Sequence, residues 1–192
     1  MNICCYGAAS NELDKEYEIK TEKLGETLAS RGHSLIFGGG KSGMMGAVAR
    51  GADKMGGKII AVAPTFFDSW DVYYKNCTEF ISTKTMRERK EILEEKSDAF
   101  IMTPGGIGTF DEFFEILTLK SLGRHIKPIA VYNIKGYFDS LEEMLKRAVD
   151  EKFMKGEVLE LCPFFEDANE LITYLENYEG ELQSIDNMKS IK

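Results

Sequence analysis

The amino-acid sequence predicts an α/β fold in which helices cover a parallel sheet. Short apolar runs rich in β-branched residues alternate with longer amphipathic stretches, as they do when each strand is followed by a helix. Two of the runs end in glycine-rich turns that open the next helix, and no internal repeat or low-complexity linker divides the chain. A length of 192 residues suits one domain. We expect this domain over residues 1–180, followed by a polar, frayed tail over 181–192.

The N-terminal half contains three predicted strands separated by two helices. Both helices are followed by glycine, and Gly32 suits the left-handed conformation that often closes a helix. The second helix carries small and apolar residues on one face, so it should pack closely against its neighbours. The elements are strand Asn2–Tyr6, helix Leu13–Arg31, strand Ser34–Phe37, helix Met44–Met55 and strand Lys58–Ala63.

The C-terminal half opens with an aromatic-rich stretch from Thr65 to Lys75 that has no clear period. It could cover a base-binding pocket, form a dimer surface or pack in the ordinary way, and ordinary packing is the preferred interpretation. Strands and helices then alternate again. They are strand Glu79–Ser82, helix Thr85–Lys96, strand Ala99–Thr103, a helix ending at Leu122, strand Pro128–Tyr132, helix Tyr137–Glu151, a short strand near Leu161 and helix Ala168–Tyr178.

The charge balance excludes several classes of partner. The chain has 32 acidic and 24 basic residues and a formal net charge of -8, whereas proteins that coat nucleic acids or bind membrane surfaces need a dominant basic field. The apolar runs are too short to cross a bilayer, and no export signal is visible. The four cysteines form neither a disulfide framework nor a paired metal-binding pattern. We expect a reduced, cytoplasmic domain that binds no nucleic acid, membrane or metal.

Two glycine-rich turns are the strongest local signals for a binding site. The turn Gly38–Gly43 follows the second predicted strand, and the turn Pro104–Thr109 follows the fifth. Glycine lets a backbone approach an anion, and the free N–H groups at a helix start supply donors and a positive dipole end. Such turns lie at the carboxyl ends of the strands, where ligands bind in open α/β sheets. Together they predict a phosphorylated ligand, although each could serve only as a tight connection.

The helix predicted from Thr85 places two cations on the side that should face the protein. Arg89 and Lys90 share a stripe with Met86 and Leu93, at the spacing of one helix face. A cation on an inward face needs an anionic partner. A structural carboxylate, a bound phosphate or a catalytic carboxylate would each satisfy this need, and a snorkelling side chain is a further alternative.

Glu112 has two competing interpretations. Thr109 and Glu112 have the spacing of a helix capping box, in which the glutamate only stabilises the first turn. A carboxylate one turn from a phosphate-binding loop could instead stabilise an oxocarbenium-like transition state or activate water. On the pattern alone, capping is preferred. Glu112 and Glu115 should share a face opposite an apolar stripe. That stripe consists of Phe110, Phe113, Phe114 and Leu117.

Four separated motifs occur in the order typical of one family. Gly38–Gly46 resembles a Gly-Gly-Gly-x-x-Gly-Leu-Met-Gly loop, and Met86–Lys90 resembles a Met-His-x-Arg-Lys element. Pro104–Glu112 matches the signature Pro-Gly-Gly-x-Gly-Thr-x-x-Glu, and Leu122–Pro128 and Gly136-Tyr137 also fit. Over residues 1–165 the chain resembles the LOG (Lonely Guy) family, cytokinin riboside 5′-monophosphate phosphoribohydrolases that were long labelled lysine decarboxylases.

The resemblance implies a Rossmann-like open parallel sheet of about six or seven strands, with helices on both faces. It implies a homodimer whose partner helps complete the site, and hydrolysis of a purine or cytokinin nucleoside 5′-monophosphate to free base and ribose 5-phosphate, without metal or cofactor. Arg89 and Glu112 would be the catalytic pair, and the Gly105–Thr109 loop would hold the 5′-phosphate. The residues expected to bind substrate are Gly39, Gly40, Gly43, Met86, Lys90, Gly105, Gly106, Gly108, Thr109 and Glu115.

The chain departs from the family pattern at positions that bear on the substrate. Gly7-Ala8-Ala9 stands where the family has Gly-Ser-Ser, and Arg87 replaces the family histidine. Leu119 and Ser121 replace a common Trp and Gln. These changes leave the phosphate-binding and catalytic elements intact, so an AMP-type purine nucleotide is as good a candidate as a cytokinin nucleotide.

Two other functions are consistent with the glycine turns. A non-catalytic carrier or sensor of a phosphorylated ligand, similar to the molybdenum-cofactor carrier proteins, would keep both turns but would not need both Arg89 and Glu112. An NAD-linked enzyme is a weaker alternative. Gly38-x-Gly40-x-x-Gly43 formally matches the dinucleotide fingerprint, but no persuasive ribose-binding carboxylate follows the next strand.

Overall fold

The computed structural model describes residues 1–180, apart from the side chains of Ser69 and Trp70. The tail predicted over 181–192 lies outside the described residues. The strands are β1 Asn2–Tyr6, β2 Ser34–Phe37, β3 Ile59–Pro64, β4 Glu79–Thr83, β5 Ala99–Met102, β6 Ile129–Tyr132 and β7 Phe164–Phe165. The α-helices are α1 Lys15–Ser30, α2 Gly43–Lys54, α3 Met86–Lys96, α4 Ile107–Ser121, α5 Asp139–Asp150 and α6 Ala168–Glu176.

All seven strands form one parallel sheet, in the order β4-β3-β2-β1-β5-β6-β7. The predicted open parallel α/β sheet is therefore confirmed. Strand β1 lies between β2 and β5, so the chain reverses its direction of travel across the sheet beside β1. The connections that leave β1 and β5 consequently run to opposite sides, which creates the crevice where ligands bind in such sheets.

Helices cover both faces of the sheet, as expected. Helices α1, α2 and α6 pack on one face around Leu24, Val48 and Leu171. Helices α3 and α4 pack on the other face around Leu93 and Phe113. The central strands are buried on both sides, and this explains why their sequences are short, continuous apolar runs. Because α3 and α4 share one core, their polar residues near the carboxyl edge of the sheet come together.

Two segments differ from the sequence-based expectation. Leu161 lies in a 3-10 helix, Gly156–Leu161, and the last strand begins later, at Phe164. The prediction of a strand near Leu161 was misplaced because the Leu161 side chain is buried in the core from the 3-10 helix, which gives the same apolar pattern as a short strand. Another 3-10 helix, Ile134–Gly136, precedes α5.

The aromatic stretch after β3 has more structure than its sequence suggests. It begins as a 3-10 helix over Thr65–Trp70. Residues 72–74 then pair in an antiparallel fashion with the first glycine turn, through hydrogen bonds from the Lys41 N–H to the Val72 carbonyl and from the Tyr74 N–H to the Gly39 carbonyl, each 2.8 Å long. The stretch therefore covers this turn.

The remaining expectations concern disulfide bonds, membrane spans and cellular location. Cys4, Cys5, Cys77 and Cys162 are all free thiols in this structure. None of the helices within residues 1–180 combines the length and the apolar character that a membrane span requires. The cytoplasmic location stays a prediction.

Candidate active site

The structure brings the two predicted catalytic side chains into direct contact. Arg89 lies in the first turns of α3, and Glu112 lies in the second turn of α4. The Arg89 Nη1 atom is 2.8 Å from Glu112 Oε1, and the two side chains are only 10% and 8% exposed. The partner that Arg89 was expected to need is thus a carboxylate of this chain. A charge-assisted hydrogen bond at this distance fixes both groups.

Three further contacts set the orientation of the Arg89 guanidinium. Its Nε atom donates to the Val62 carbonyl at 3.1 Å, and its Nη1 atom lies 3.9 Å from Met86 Sδ. A Cβ atom added at Gly38 would overlap Nη2. Gly38, which sequence reasoning did not single out as a site residue, therefore leaves the space that the guanidinium occupies.

Glu112 does not cap its helix. Helix α4 begins at Ile107 with Gly106 as the N-cap, so Thr109 is already inside the helix. The capping-box interpretation is therefore wrong. The expected opposition of Glu112 to the apolar stripe is also wrong, because Glu112 is buried whereas Phe114 is 38% exposed. The packing against α3 and the sheet selects the buried face. Its members are Thr109, Glu112, Phe113, Ile116, Leu117 and Lys120.

The surroundings of the pair raise the pKa of the carboxyl group. Burial is the main cause, the charge of Asp111 acts in the same direction, and the charge of Arg89 opposes both. Beneath the pair, burial also raises the pKa of the Cys4 thiol to about 12 and the pKa of Tyr6 well above its usual value. Both groups therefore stay protonated near neutral pH.

The second glycine turn is open toward the crevice. A Cβ atom at Gly106 or Gly108 would meet no protein atom within 4 Å, and neither residue has a positive φ. Within residues 1–180, no hydrogen bond uses the N–H groups of Gly106, Ile107 or Gly108. Packing and backbone conformation thus give no reason for glycine at the two positions, whereas close approach of an anion to free N–H groups does.

We expect the Gly108→Ala variant to fold more stably and to bind phosphate less well. An added methyl group in the first turn of α4 favours the helix by about 0.5 kcal/mol, but it occupies the open space of the turn. Thermal unfolding without ligand and titration calorimetry with ribose 5-phosphate measure the two effects. A rise in both stability and affinity would contradict the assignment of this space to the ligand.

The first glycine turn is less open than the second. The Gly39 carbonyl and the Lys41 N–H are already paired with residues 74 and 72. Gly43 has φ +57°, and a Cβ there would lie 2.6 Å from the Ser10 carbonyl oxygen, so packing explains this glycine. Substrate binding by Gly39, Gly40 and Gly43 stays a prediction.

Lys90 and Glu115 form a second cluster on the outer side of the same two helices. Lys90 Nζ contacts Glu115 and lies 3.0 Å from Asp111 Oδ2. The predicted stripe therefore divides, with Arg89 directed inward and Lys90 directed toward this partly exposed ion-pair cluster. A groove of about 600 Å³ adjoins the cluster. Metal ligands are not grouped here: within residues 1–180, no three His, Cys, Asp or Glu side chains come together to hold a metal ion.

Fold and site together define a Rossmann-like α/β protein with a crevice at the topological switch point. The family described as "Possible lysine decarboxylase" matches residues 45–175. The cytokinin riboside 5′-monophosphate phosphoribohydrolase of Mycobacterium tuberculosis is 39% identical over 158 residues, which cover 82% of this chain and 84% of that protein. The corresponding LOG7 enzyme of Arabidopsis thaliana is 32% identical over 183 residues, which cover 95% of this chain and 84% of that protein. The chain belongs to the LOG family.

Solved structures of lower identity share the fold. The molybdenum cofactor carrier protein of Chlamydomonas reinhardtii superposes with a TM-score of 0.70 at 20% identity, over 91% of this chain and 95% of its own. The molybdenum cofactor binding protein of Rippkaea orientalis gives 0.67 at 19% identity, over 91% and 93%. At these identities the likeness concerns the fold alone.

Proposed function

We propose that this protein hydrolyses the N-glycosidic bond of a purine or cytokinin nucleoside 5′-monophosphate and releases the free base and ribose 5-phosphate. The observation that carries the proposal is the buried Arg89–Glu112 pair, 2.8 Å apart, beside the open turn at Gly106 and Gly108. The activities named for the relatives at 32% and 39% identity support it. A single domain over residues 1–180 would carry out the reaction.

Each part of the site has a task in this reaction. The free N–H groups of the second glycine turn bind the 5′-phosphate, and this remote binding energy helps to place the ribose over the carboxylate. As the bond between C1′ and the base breaks, positive charge develops at C1′, and ionised Glu112 stabilises it. The base leaves with the electron pair of the broken bond; a water oxygen then bonds to C1′, and the proton that the water loses balances the one that the base nitrogen takes up. Arg89 keeps the carboxylate oriented and ionised.

Base release is the direct test of this activity. Purified protein is incubated with AMP and with isopentenyladenosine 5′-monophosphate, and the products are separated by chromatography. We expect equal amounts of free base and ribose 5-phosphate from at least one of the two nucleotides. Binding of both nucleotides without any release of base would instead favour the carrier alternative, for which a buried arginine–glutamate pair has no use.

We expect kcat to fall on the acidic side with a midpoint above 4.5, the ordinary pKa of a glutamate, because burial raises the pKa of Glu112. The carboxyl must be ionised to act, so protonation removes activity. The sign for stability is opposite: with a folded-state pKa above that of the unfolded chain, the contribution of Glu112 to stability is greatest at low pH and is lost as the pH rises through the folded-state pKa.

The measurement is kcat between about pH 4 and pH 8, since kcat reports the groups of the enzyme–substrate complex. The ratio kcat/KM is unsuitable because the substrate phosphate itself titrates near pH 6. A kcat that stays constant down to about pH 4.5 would contradict the role of the carboxylate.

We further propose that the homodimer forms through an apolar surface next to this site. Ile107 is 87% exposed, Phe153 is 83% exposed, and Phe114 between them is 38% exposed. Phe114 and Thr118 line two adjoining grooves of about 800 and 600 Å³. Large exposed apolar patches mark interaction surfaces. Because Ile107 follows the Gly106 N-cap, a second copy bound here would border the phosphate-binding turn.

We expect the Phe153→Glu variant to be monomeric, because it places a charge in the proposed interface while leaving the core intact. Ile19→Glu is the matched control, since Ile19 is 67% exposed on α1, on the opposite face of the sheet. Size-exclusion chromatography with light scattering gives the mass of each variant. A wild-type protein that is monomeric, or a Phe153→Glu variant that stays dimeric, would contradict this interface.

A further inference from the structure

Tyr137 connects the segment before α5 to the second glycine turn. Its hydroxyl donates a hydrogen bond of 2.7 Å to the Gly105 carbonyl. Its ring packs edge-on against Phe138, with centroids 4.9 Å apart, and against Tyr17 at 6.1 Å. The Asn133 Oδ1 atom accepts the Phe138 N–H at 2.7 Å, so the backbone beside Tyr137 is fixed as well. The hydroxyl is therefore held in place by a packed framework.

The position of this hydrogen bond in the turn is distinctive. The two residues before Gly105 are tied to the end of β1 and to the connection after it. Thr103 Oγ1 donates to the Tyr6 carbonyl at 2.8 Å, and the Ala8 N–H donates to the Pro104 carbonyl at 3.1 Å. The Tyr137 contact is the next one along the chain. After it come the free N–H groups, so it is the last tether before the predicted phosphate site.

The geometry of the peptide unit links the hydrogen bond from Tyr137 to the orientation of the Gly106 N–H. A trans peptide is planar, so the N–H of Gly106 points away from the Gly105 carbonyl that Tyr137 holds. Both residues are glycines, and without side chains their peptide plane can turn easily when the carbonyl is released. A tyrosine hydroxyl can donate one hydrogen bond, and here it donates that bond to the Gly105 carbonyl. Tyr137 therefore has no proton left to donate to a ligand.

We propose that Tyr137 is a positioning residue for the 5′-phosphate, which orients the Gly105–Gly106 peptide so that the Gly106 N–H faces the ligand. This inference rests on the proposed function and deepens it, because it assigns the preference for phosphate monoesters over unphosphorylated sugars to a residue that does not touch the substrate. Its effect should appear in binding of the phosphate and not in the bond-breaking step.

The test compares the Tyr137→Phe variant with the wild-type protein. We expect affinity for ribose 5-phosphate to fall by about five- to tenfold, the effect of one lost hydrogen bond, while inhibition by adenosine stays unchanged. With nucleoside monophosphate, KM rises by the same factor and kcat stays within about twofold. Tyr17→Phe is the matched control, because it removes a hydroxyl from the neighbouring ring without touching Gly105. Thermal unfolding verifies that both variants fold.

The outcomes separate this inference from the proposed function. Unchanged affinity for ribose 5-phosphate in Tyr137→Phe, an equal loss for adenosine, or an equal loss in Tyr17→Phe would overturn the positioning role. So would a wild-type protein that binds no ribose 5-phosphate. If the wild type binds ribose 5-phosphate but releases no base, the proposed hydrolysis fails, and the comparison of affinities still decides the role of Tyr137.

Discussion

The Glu112→Gln variant is expected to lose at least about a thousandfold in kcat while its affinity for nucleoside monophosphate stays within a few fold. Glutamine keeps the shape of the side chain and an oxygen that can accept the hydrogen bond from Arg89. It removes the negative charge that would face the developing positive charge at C1′. Since the 5′-phosphate is proposed to bind elsewhere, at the second glycine turn, ground-state affinity should survive.

The matched control is Glu115→Gln, which makes the same chemical change one turn further along α4. Glu115 is 41% exposed and pairs with Lys90, so its charge is not part of the buried pair. Rates of base release and nucleotide affinities are measured for both variants, with thermal unfolding to confirm folding. The neutral glutamine of Glu112→Gln avoids the burial cost that raises the pKa of Glu112 but leaves Arg89 without its charged partner, so the two variants are compared by Tm before their rates are interpreted. Unchanged turnover in Glu112→Gln would remove Glu112 from the mechanism.

The fold was predictable because its signals are local. The central strands are short apolar runs such as Ile59–Pro64, which is buried throughout, and most strands are followed by an amphipathic helix with a different period. Helix α1 ends before Gly32, which has the expected φ of +78°. The short strand Phe164–Phe165 was placed too early because its neighbour Leu161 has the same apolar character. Pairing with β6, a contact between distant residues, decides which of them forms a strand.

The site was predicted only in part, because local spacing does not show where a helix starts in three dimensions. Thr109 and Glu112 have the correct spacing for a capping box, but the chain enters α4 at Gly106. That choice depends on the turn after β5, which is held by Ala8 and Tyr137. Once the helix begins there, Glu112 faces Arg89. Family motifs named both side chains, whereas no local pattern revealed that they touch.

Residues that support the site from a distance were harder to find. Gly38 was noticed as part of a glycine pattern, and its contact with Arg89 joins β2 to α3 across the sheet. The Gly38–Gly43 pattern resembles an anion-binding turn, in which the N–H groups would contact the ligand. The structure assigns Gly38 a different task, which is to leave room for a side chain of the protein itself.

Replacing Gly38 with alanine is therefore expected to lower kcat by about a hundredfold in a protein that still folds. The φ of Gly38 is not positive, so its backbone accepts alanine. The obstacle is the end of the Arg89 side chain, with Met45 Sδ at 3.1 Å from the added Cβ. The guanidinium has to move, which weakens its buried pair with Glu112 and lowers Tm, and the displacement disturbs a geometry in which a shift of about 1 Å can cost a hundredfold in rate.

Two comparisons make this prediction specific. Gly156→Ala is the control, because the added Cβ would make only an ordinary contact, 3.8 Å from Val149 Cγ1. The second comparison introduces Gly38→Ala into an Arg89→Met background. If Gly38 acts only by making room for Arg89, the alanine has no further effect on kcat once the guanidinium is gone, so the two changes are non-additive. Full additivity would mean that Gly38 contacts the substrate directly, and the first glycine turn would then be a ligand-binding element in its own right.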